Sequence, residues 1–224
     1  MKIIMQFLRR KQMRIISPSY EILTPISDGG ISELSHIERI GRVCYKSEDR
    51  ITSDGESAKK FISMLIKNHH EAMIEHSSLS VKFIVDRGVS HELVRHRIAS
   101  FAQESTRYCS YNKDKFGNEI TVIKPYFWEE DSENFREWKM ACENAESTYF
   151  YLLSNGASAQ EARSVLPNSL KTEIIMTANY REWRAFFKLR TEQAAHPSMR
   201  EITIPLLKEL QQRIPIIFED IEVK

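Results

Sequence analysis

The sequence is short of the residues and patterns that mark several classes of protein. Glycine and proline number only 7 each in 224 residues, and no low-complexity tract is present, which excludes disordered and fibrous classes. The three cysteines, Cys44, Cys109 and Cys142, form no Cys-x-x-Cys pair, which argues against a disulfide framework and a thiolate zinc site. No apolar run approaches the roughly 18 residues that a membrane span needs. We therefore expect a reduced, cytoplasmic, globular protein with no membrane association.

Charge of neither sign dominates the chain. It carries 32 Lys and Arg against 31 Asp and Glu, a formal net charge of +1, so no global basic field indicates a nucleic-acid partner. At the N-terminus a short apolar stretch precedes Arg9 and Arg10, whereas a signal peptide has its charges first and a longer apolar core. Met13 could equally be the natural start, in which case residues 1–12 are an N-terminal extension.

Hydrophobic patterning predicts one α+β domain over residues 1–224. Alternating or β-branched apolar stretches predict strands at 13–24, 79–86 and 170–177. Apolar residues at helical spacing predict helices at 34–45, 57–68, 131–155, 182–192 and 202–214. Ser158 and Glu161 form a capping box that starts a further helix, which stops before Pro167. The polar stretch 111–130 is predicted to be a loop.

Several common catalytic motifs are incomplete or missing. His70-Glu71 and His91-Glu92 look like the start of a zinc-protease helix, but Ile74 and Arg95 stand where the second His is needed. No Gly-rich phosphate loop and no Gly-x-Ser-x-Gly elbow are present. No feature of the sequence places a base beside a cysteine. We therefore predict no metal site and no cysteine nucleophile.

The stretch from His91 to Tyr108, HELVRHRIASFAQESTRY, concentrates side chains that bind anions. Arg95, His96 and Arg97 cannot share one helix face, because successive helical residues point about 100° apart. Such a triplet is either solvated on a surface or divided between two anionic ligands. The Arg forks and the Ser hydroxyls suit phosphate or carboxylate oxygens, and Gln103 can both donate and accept. We predict a phosphate-bearing ligand, with a solvated basic patch as the alternative.

The same residues resemble the signature of a known family. Arg95-His96-Arg97, seven further residues and Ser105-x-Arg107 are similar to the Arg-His-Arg-x7-Ser-x-Arg motif of flavin-dependent thymidylate synthases. Three other family elements follow the same order in this chain: His70-Glu71-Ala72 with Glu75-His76, Ala162-Arg163 to Leu166-Pro167, and Asn179-Tyr180-Arg181 to Leu189-Arg190. The matches span residues 40–215. On these motifs the chain is identified as a member of the family.

The resemblance implies a mostly antiparallel sheet packed by helices and a homotetramer whose sites are shared between subunits. It also implies the reductive methylation of dUMP to dTMP, with methylenetetrahydrofolate as the carbon donor and NADPH, acting through FAD, as the reductant. The C5 atom of uracil becomes nucleophilic only if negative charge at N3 and O4 of the ring is stabilised. An always-charged arginine suits that task, and the resemblance gives the catalytic role to Arg190.

The resemblance assigns two sets of binding residues. The set for FAD is His70, Arg95, His96, Arg97, Gln103, Asn179 and Arg181. The set for dUMP is Glu92, Arg95, Gln103, Ser105, Arg107, Arg163 and Arg190. Two other classes of function stay open: a nucleic-acid binder that uses the basic stretch, and an inactive family member that serves as a nucleotide- or flavin-binding module.

Overall fold

The structure is a computed structural model that describes residues 13–111 and 118–223. The predicted extension over residues 1–12 lies outside the described residues. The strands are β1 (Arg14–Ile16), β2 (Ser19–Ile22), β3 (Ser78–Asp86), β4 (Ala99–Gln103), β5 (Thr121–Ile123) and β6 (Lys171–Asn179). The helices are α1 (Ile31–Tyr45), α2 (Glu56–Lys67), α3 (Arg87–Leu93), α4 (Glu133–Ser154), α5 (Ala159–Ala162), α6 (Tyr180–Arg190), α7 (Pro197–Arg213) and α8 (Pro215–Phe218). Short 3-10 helices include Glu71–His76 and Arg163–Val165.

The mixed α and β class predicted from the sequence is confirmed, with two differences in detail. The strand predicted at 13–24 is divided into β1 and β2 around Pro18, which has no N–H to donate to a sheet. The stretch predicted as a loop at 111–130 contains β5, so that prediction was wrong for Thr121–Ile123. The predicted capping box at Ser158 is present, with the Ser158 backbone N–H donating to Glu161 at 2.7 Å.

The larger sheet has four strands in the order β2-β3-β6-β4. The backbone N–H of Tyr180 donates to the Ser77 carbonyl at 3.1 Å, which joins the end of β6 to the start of β3. The N–H of Glu104 donates to the Glu173 carbonyl at 2.9 Å, which joins the end of β4 to the start of β6. These neighbours therefore run antiparallel, as the resemblance implies. A separate parallel pair is formed by β1 and β5.

The chain divides into two compact units. The first comprises Phe83–Leu93, Ala102–Ile174 and the described residues up to Ser19. Its core is built by one face of α4 and the strands β1 and β5, and its buried members are Met13, Tyr111, Ile120, Val122, Cys142, Tyr149, Phe150, Ala162 and Leu170. Glu146 of α4 accepts a hydrogen bond from the Ile120 backbone N–H at 2.8 Å, which ties the helix to the start of β5.

The second unit comprises Tyr20–Lys82, Val94–Phe101 and the chain from Ile175 onward. Its core is aromatic: Trp183 stacks on Phe187 with centroids 5.7 Å apart, and Phe187 meets Phe218 edge-to-face. The indole N–H of Trp183 donates to the Leu79 carbonyl at 2.9 Å, so α6 is fixed on β3. No helix in the described part of the chain is long and apolar enough to cross a membrane.

Candidate active site

The nucleotide residues predicted in the first unit lie along α3, β4 and the turn after it. Glu92 is on α3, Gln103 ends β4, and Ser105 and Arg107 follow. The Gln103 amide donates to the Ser90 hydroxyl at 3.0 Å and to the Thr172 hydroxyl at 3.3 Å, so its orientation is fixed. The Ser105 hydroxyl accepts from the Arg107 backbone N–H at 3.3 Å, which closes the turn.

A cavity of about 470 Å³ opens in the same unit, between α3 and the segment that follows α5. It is lined by Arg87, His91, Thr106, Gln160, Arg163, Ser164, Leu166, Pro167, Asn168 and Leu170. Arg163 donates to the Thr106 hydroxyl at 3.3 Å. Two guanidinium groups face the cavity, and no carboxylate is among the described residues that line it. This charge and these donors favour an anionic ligand such as a phosphate.

Arg87 and His91 extend the predicted set. They stand one helical turn apart on α3, which places both on one face of the helix. The Arg87 guanidinium donates to the Glu104 carbonyl at 3.1 Å, a contact that orients the group without placing a negative charge on it. In the sequence, the spacing of Arg and His by four residues was the signal that could have identified this pair. Arg107, by contrast, is exposed, with its guanidinium carbon 5.5 Å from the centroid of the Tyr108 ring.

The flavin residues predicted in the second unit differ in how they are held. Arg95, Arg97 and His70 are exposed. Asn179 ends β6 and caps α6, because its side-chain oxygen accepts from the Glu182 backbone N–H at 2.9 Å. Arg181 is exposed and forms an ion pair with Glu75 at 2.5 Å. Arg95, Arg97 and His70 are thus exposed to solvent, where a ligand can reach them.

His96 is buried, unlike the two arginines on either side of it. Its Nδ1 lies 3.1 Å from a carboxylate oxygen of Glu182, and its Nε2 accepts from the Nε of Arg190 at 3.0 Å. The ring packs edge-on against Phe186, with centroids 4.9 Å apart. The structure therefore brings His96 together with the predicted catalytic residue Arg190.

Burial lowers the pKa of His96 from its usual value, and the nearby charge of Arg190 lowers it further, while the hydrogen bond to Glu182 acts in the opposite direction. We expect the free energy of unfolding to decrease as the pH falls below about 6.5, because the unfolded imidazole then binds a proton more readily than the folded one. Above that pH the ring is neutral in both states and contributes no pH dependence. Urea unfolding above and below this pH, for the wild type and His96→Gln, measures the effect; equal pH slopes in the two proteins would contradict it.

Arg184 forms a second buried polar cluster on α6. Its guanidinium donates to Glu71 at 3.1 and 3.2 Å, to both carboxylate oxygens of Asp220 at 2.6 and 2.7 Å, and to the Ile217 carbonyl. Since Glu71 directly follows His70, these bonds fix the segment that carries His70. This role was not predicted, because the partners of Arg184 lie far from it in the chain.

The cysteines are placed in three different environments. Cys44 is exposed, Cys109 is half-buried and Cys142 is buried. Burial raises the pKa of the Cys142 thiol to about 11, which makes it a poor nucleophile near neutral pH. Among the described residues, no group of three or more His, Cys, Asp and Glu side chains is arranged to hold a metal ion.

Comparison with known proteins defines the class of the chain. The family model described as "Thymidylate synthase complementing protein" matches residues 32–216. The flavin-dependent thymidylate synthase of Corynebacterium aurimucosum is 30% identical over 214 residues, which cover 88% of this chain and 84% of that protein. The enzyme of the same name from Mycobacterium avium is 30% identical over 203 residues, covering 84% and 79%. The chain therefore belongs to the flavin-dependent thymidylate synthase family.

A solved structure supports the same fold. It is the UMP/dUMP methylase PolB from Streptomyces cacaoi, bound with 5-Br dUMP. The two chains superpose with a TM-score of 0.72 at 23% identity, over 92% of this chain and 96% of the other. At this identity the likeness establishes the fold.

Proposed function

We propose that this protein is a flavin-dependent thymidylate synthase, an enzyme that methylates dUMP to dTMP with methylenetetrahydrofolate as the carbon donor and NADPH, through FAD, as the reductant. The observation that carries the proposal is the cationic cavity of the first unit, which contains Arg163 of the family's Ala-Arg element. The names of the relatives support a flavin cofactor, and the ligand of the Streptomyces methylase supports a uracil nucleotide as the substrate.

The donor set of the second unit fits FAD. The exposed Arg95 and Arg97 suit the pyrophosphate, since forked guanidinium donors match phosphate oxygens. His70 and Arg181 are also exposed and can donate, and the amide nitrogen of Asn179 is a further donor. We assign these residues, with His96 and Gln103, to the flavin. When bound, the flavin supplies the redox chemistry, while the protein binds and orients the ligands.

For dUMP we assign the phosphate to the cavity of the first unit, with Arg163 as its main partner. Arg87 and His91 join Ser105 and Arg107 as further donors. Glu92, Arg95 and Gln103 complete the predicted nucleotide set. Arg190 is assigned to the uracil ring, where its permanent charge stabilises negative charge at N3 and O4 as C5 becomes nucleophilic.

We further propose a homotetramer in which the flavin and nucleotide sites are completed by residues of several subunits. Light scattering of the purified protein measures the assembly directly. Mixed tetramers of two different inactive site variants should regain activity if the sites are shared. An active monomer would contradict this part of the proposal.

Arg163→Ala and Arg107→Ala are each expected to weaken dUMP binding by about 1.5–3 kcal/mol, the usual scale for a hydrogen bond to a charged group. Because a phosphate contact persists from the bound substrate to the transition state, the loss should appear mainly in KM. Calorimetric titration with dUMP, with flavin content recorded alongside, measures it. Arg136→Ala is the matched control, because that exposed guanidinium donates only to the carbonyls of Asp131 and Ser132 in its described bonds.

The experiment that tests the proposed class is a flavin spectrum of the purified protein, followed by titration with dUMP and with UMP. A yellow protein that binds dUMP supports the proposal. The titration with UMP shows whether the protein distinguishes deoxyribose from ribose. A colourless protein that binds DNA with strong salt dependence, and shows no affinity for dUMP, would favour the nucleic-acid alternative.

A further inference from the structure

One face of α6 carries three residues at successive turns of the helix. Glu182, Phe186 and Arg190 are spaced by four residues each, so their side chains follow one another along one side of the helix. The His96 ring lies over the middle of this row, 4.9 Å from the Phe186 ring, and reaches Glu182 with one nitrogen and Arg190 with the other. The imidazole therefore connects the first and the last residue of the row.

The direction of each hydrogen bond follows from the chemistry of the three groups. The Nε of Arg190 can only donate, so Nε2 of His96 must accept with its lone pair. A neutral imidazole then carries its proton on Nδ1, and this proton is donated to the Glu182 carboxylate. Glu182 thus selects the tautomer of His96 that can hold Arg190.

We propose that Glu182 and His96 are positioning residues for Arg190. This inference rests on the proposed function, which gives Arg190 its role at the uracil ring. The chain of two hydrogen bonds fixes the orientation of the guanidinium before the substrate arrives. A charge that is already oriented stabilises the activated ring without the cost of reorganisation. Neither Glu182 nor the tautomer of His96 was singled out from the sequence, because the contacts join residues far apart in the chain.

The surroundings preserve the neutral imidazole on which this arrangement depends. The side chain of His96 is only 8% exposed and that of Glu182 only 13%. Three charged groups act on the ring: Glu182, Arg190 and Arg95. A proton added to Nε2 would remove the acceptor for Arg190 and place two positive charges next to each other. Protonation of His96 would therefore remove its hydrogen bond with the Arg190 Nε.

The test compares Glu182→Ala and Glu182→Gln with the wild-type tetramer loaded with FAD. In Glu182→Ala the tautomer and the ring orientation of His96 lose their support. We expect kcat to fall by about 10- to 100-fold, by analogy with the loss of a group that orients a metal-ligating histidine. KM for dUMP should change little, because Glu182 is not among the residues assigned to dUMP. Turnover is measured with FAD at saturation, because His96 is assigned to the flavin. Glu182→Gln retains an acceptor for the Nδ1 proton, so it should recover most of kcat. Glu192→Gln is the matched control for charge, because Glu192 lies just beyond α6.

A second measurement does not depend on turnover. Nitrogen-15 NMR of the imidazole in the wild type should show the proton of His96 on Nδ1, and the Nε proton of Arg190 should exchange slowly with water. In Glu182→Ala that exchange should be faster. A wild-type His96 with its proton on Nε2, or a Glu182→Ala variant with wild-type kcat and wild-type exchange, would overturn the inference. Failure of the wild type to convert dUMP would instead count against the proposed function, and the NMR result would still decide the hydrogen-bond chain.

Discussion

Replacement of Arg190 by alanine should lower kcat for dTMP formation by about 10²–10³, the scale found when an oxyanion donor is removed from an active site. Arg190 ends α6, is buried, and is held by His96 through its Nε. In the proposed reaction, the negative charge assigned to Arg190 grows only as uracil is activated, so the loss should fall on kcat more than on KM. Flavin content should be unchanged, since Arg190 is not assigned to FAD.

Turnover and dUMP titration of Arg190→Ala, with the flavin spectrum of each preparation, measure this effect. Arg190→Lys retains a charge but lacks the Nε donor and the planar fork, so it should recover only part of the activity. The melting temperature of both variants shows whether the fold is intact. A folded Arg190→Ala variant that loses dUMP affinity but retains kcat would contradict the catalytic role.

Arg184→Met should lower the free energy of unfolding by about 3–5 kcal/mol, the cost of removing one partner from a buried ion pair. Methionine fills most of the volume of the arginine side chain, so no large cavity forms. The loss reflects the half-buried carboxylate of Glu71, the Ile217 carbonyl and the broken ion pair with Asp220. Asp220 is half-exposed and can be hydrated, which places the expected value at the lower end of the range.

Urea unfolding of Arg184→Met against the wild type gives the difference directly. Lys188→Met is the control, because Lys188 is an exposed cation one turn further along α6. If both variants lose less than about 1 kcal/mol, as surface substitutions do, the cluster does not stabilise the fold.

The fold was predictable where a local pattern determines the structure. The alternating apolar residues located β3 to within a residue, and the capping box at Ser158 located the start of α5 equally well. β5 was missed because it has only three residues and pairs with β1, a partner distant in the sequence. The strand at 13–24 was divided because a single proline outweighed the surrounding β-branched residues.

The candidate site was predictable as a set of motifs, but not as a set of contacts. The family motifs supplied Arg163 and Arg190, which the structure places in a cationic cavity and at the buried end of α6. The motifs did not distinguish the buried His96 from the exposed arginines beside it, because the order of these three residues in the sequence does not indicate which of them is buried. Arg87 was missed for a related reason: its part in the cavity depends on the position of α3 relative to Arg163.

On the proposed function, this chain converts dUMP to dTMP with a flavin. Mass spectrometry of the nucleotide after incubation of purified protein with dUMP, methylenetetrahydrofolate, NADPH and FAD tests it most directly. We predict that dTMP forms in the complete mixture, and that it fails to form when the folate, NADPH or FAD is omitted from protein freed of flavin. A protein that binds FAD and dUMP but leaves dUMP unchanged in the complete mixture would contradict the claim and identify the chain as a binding module.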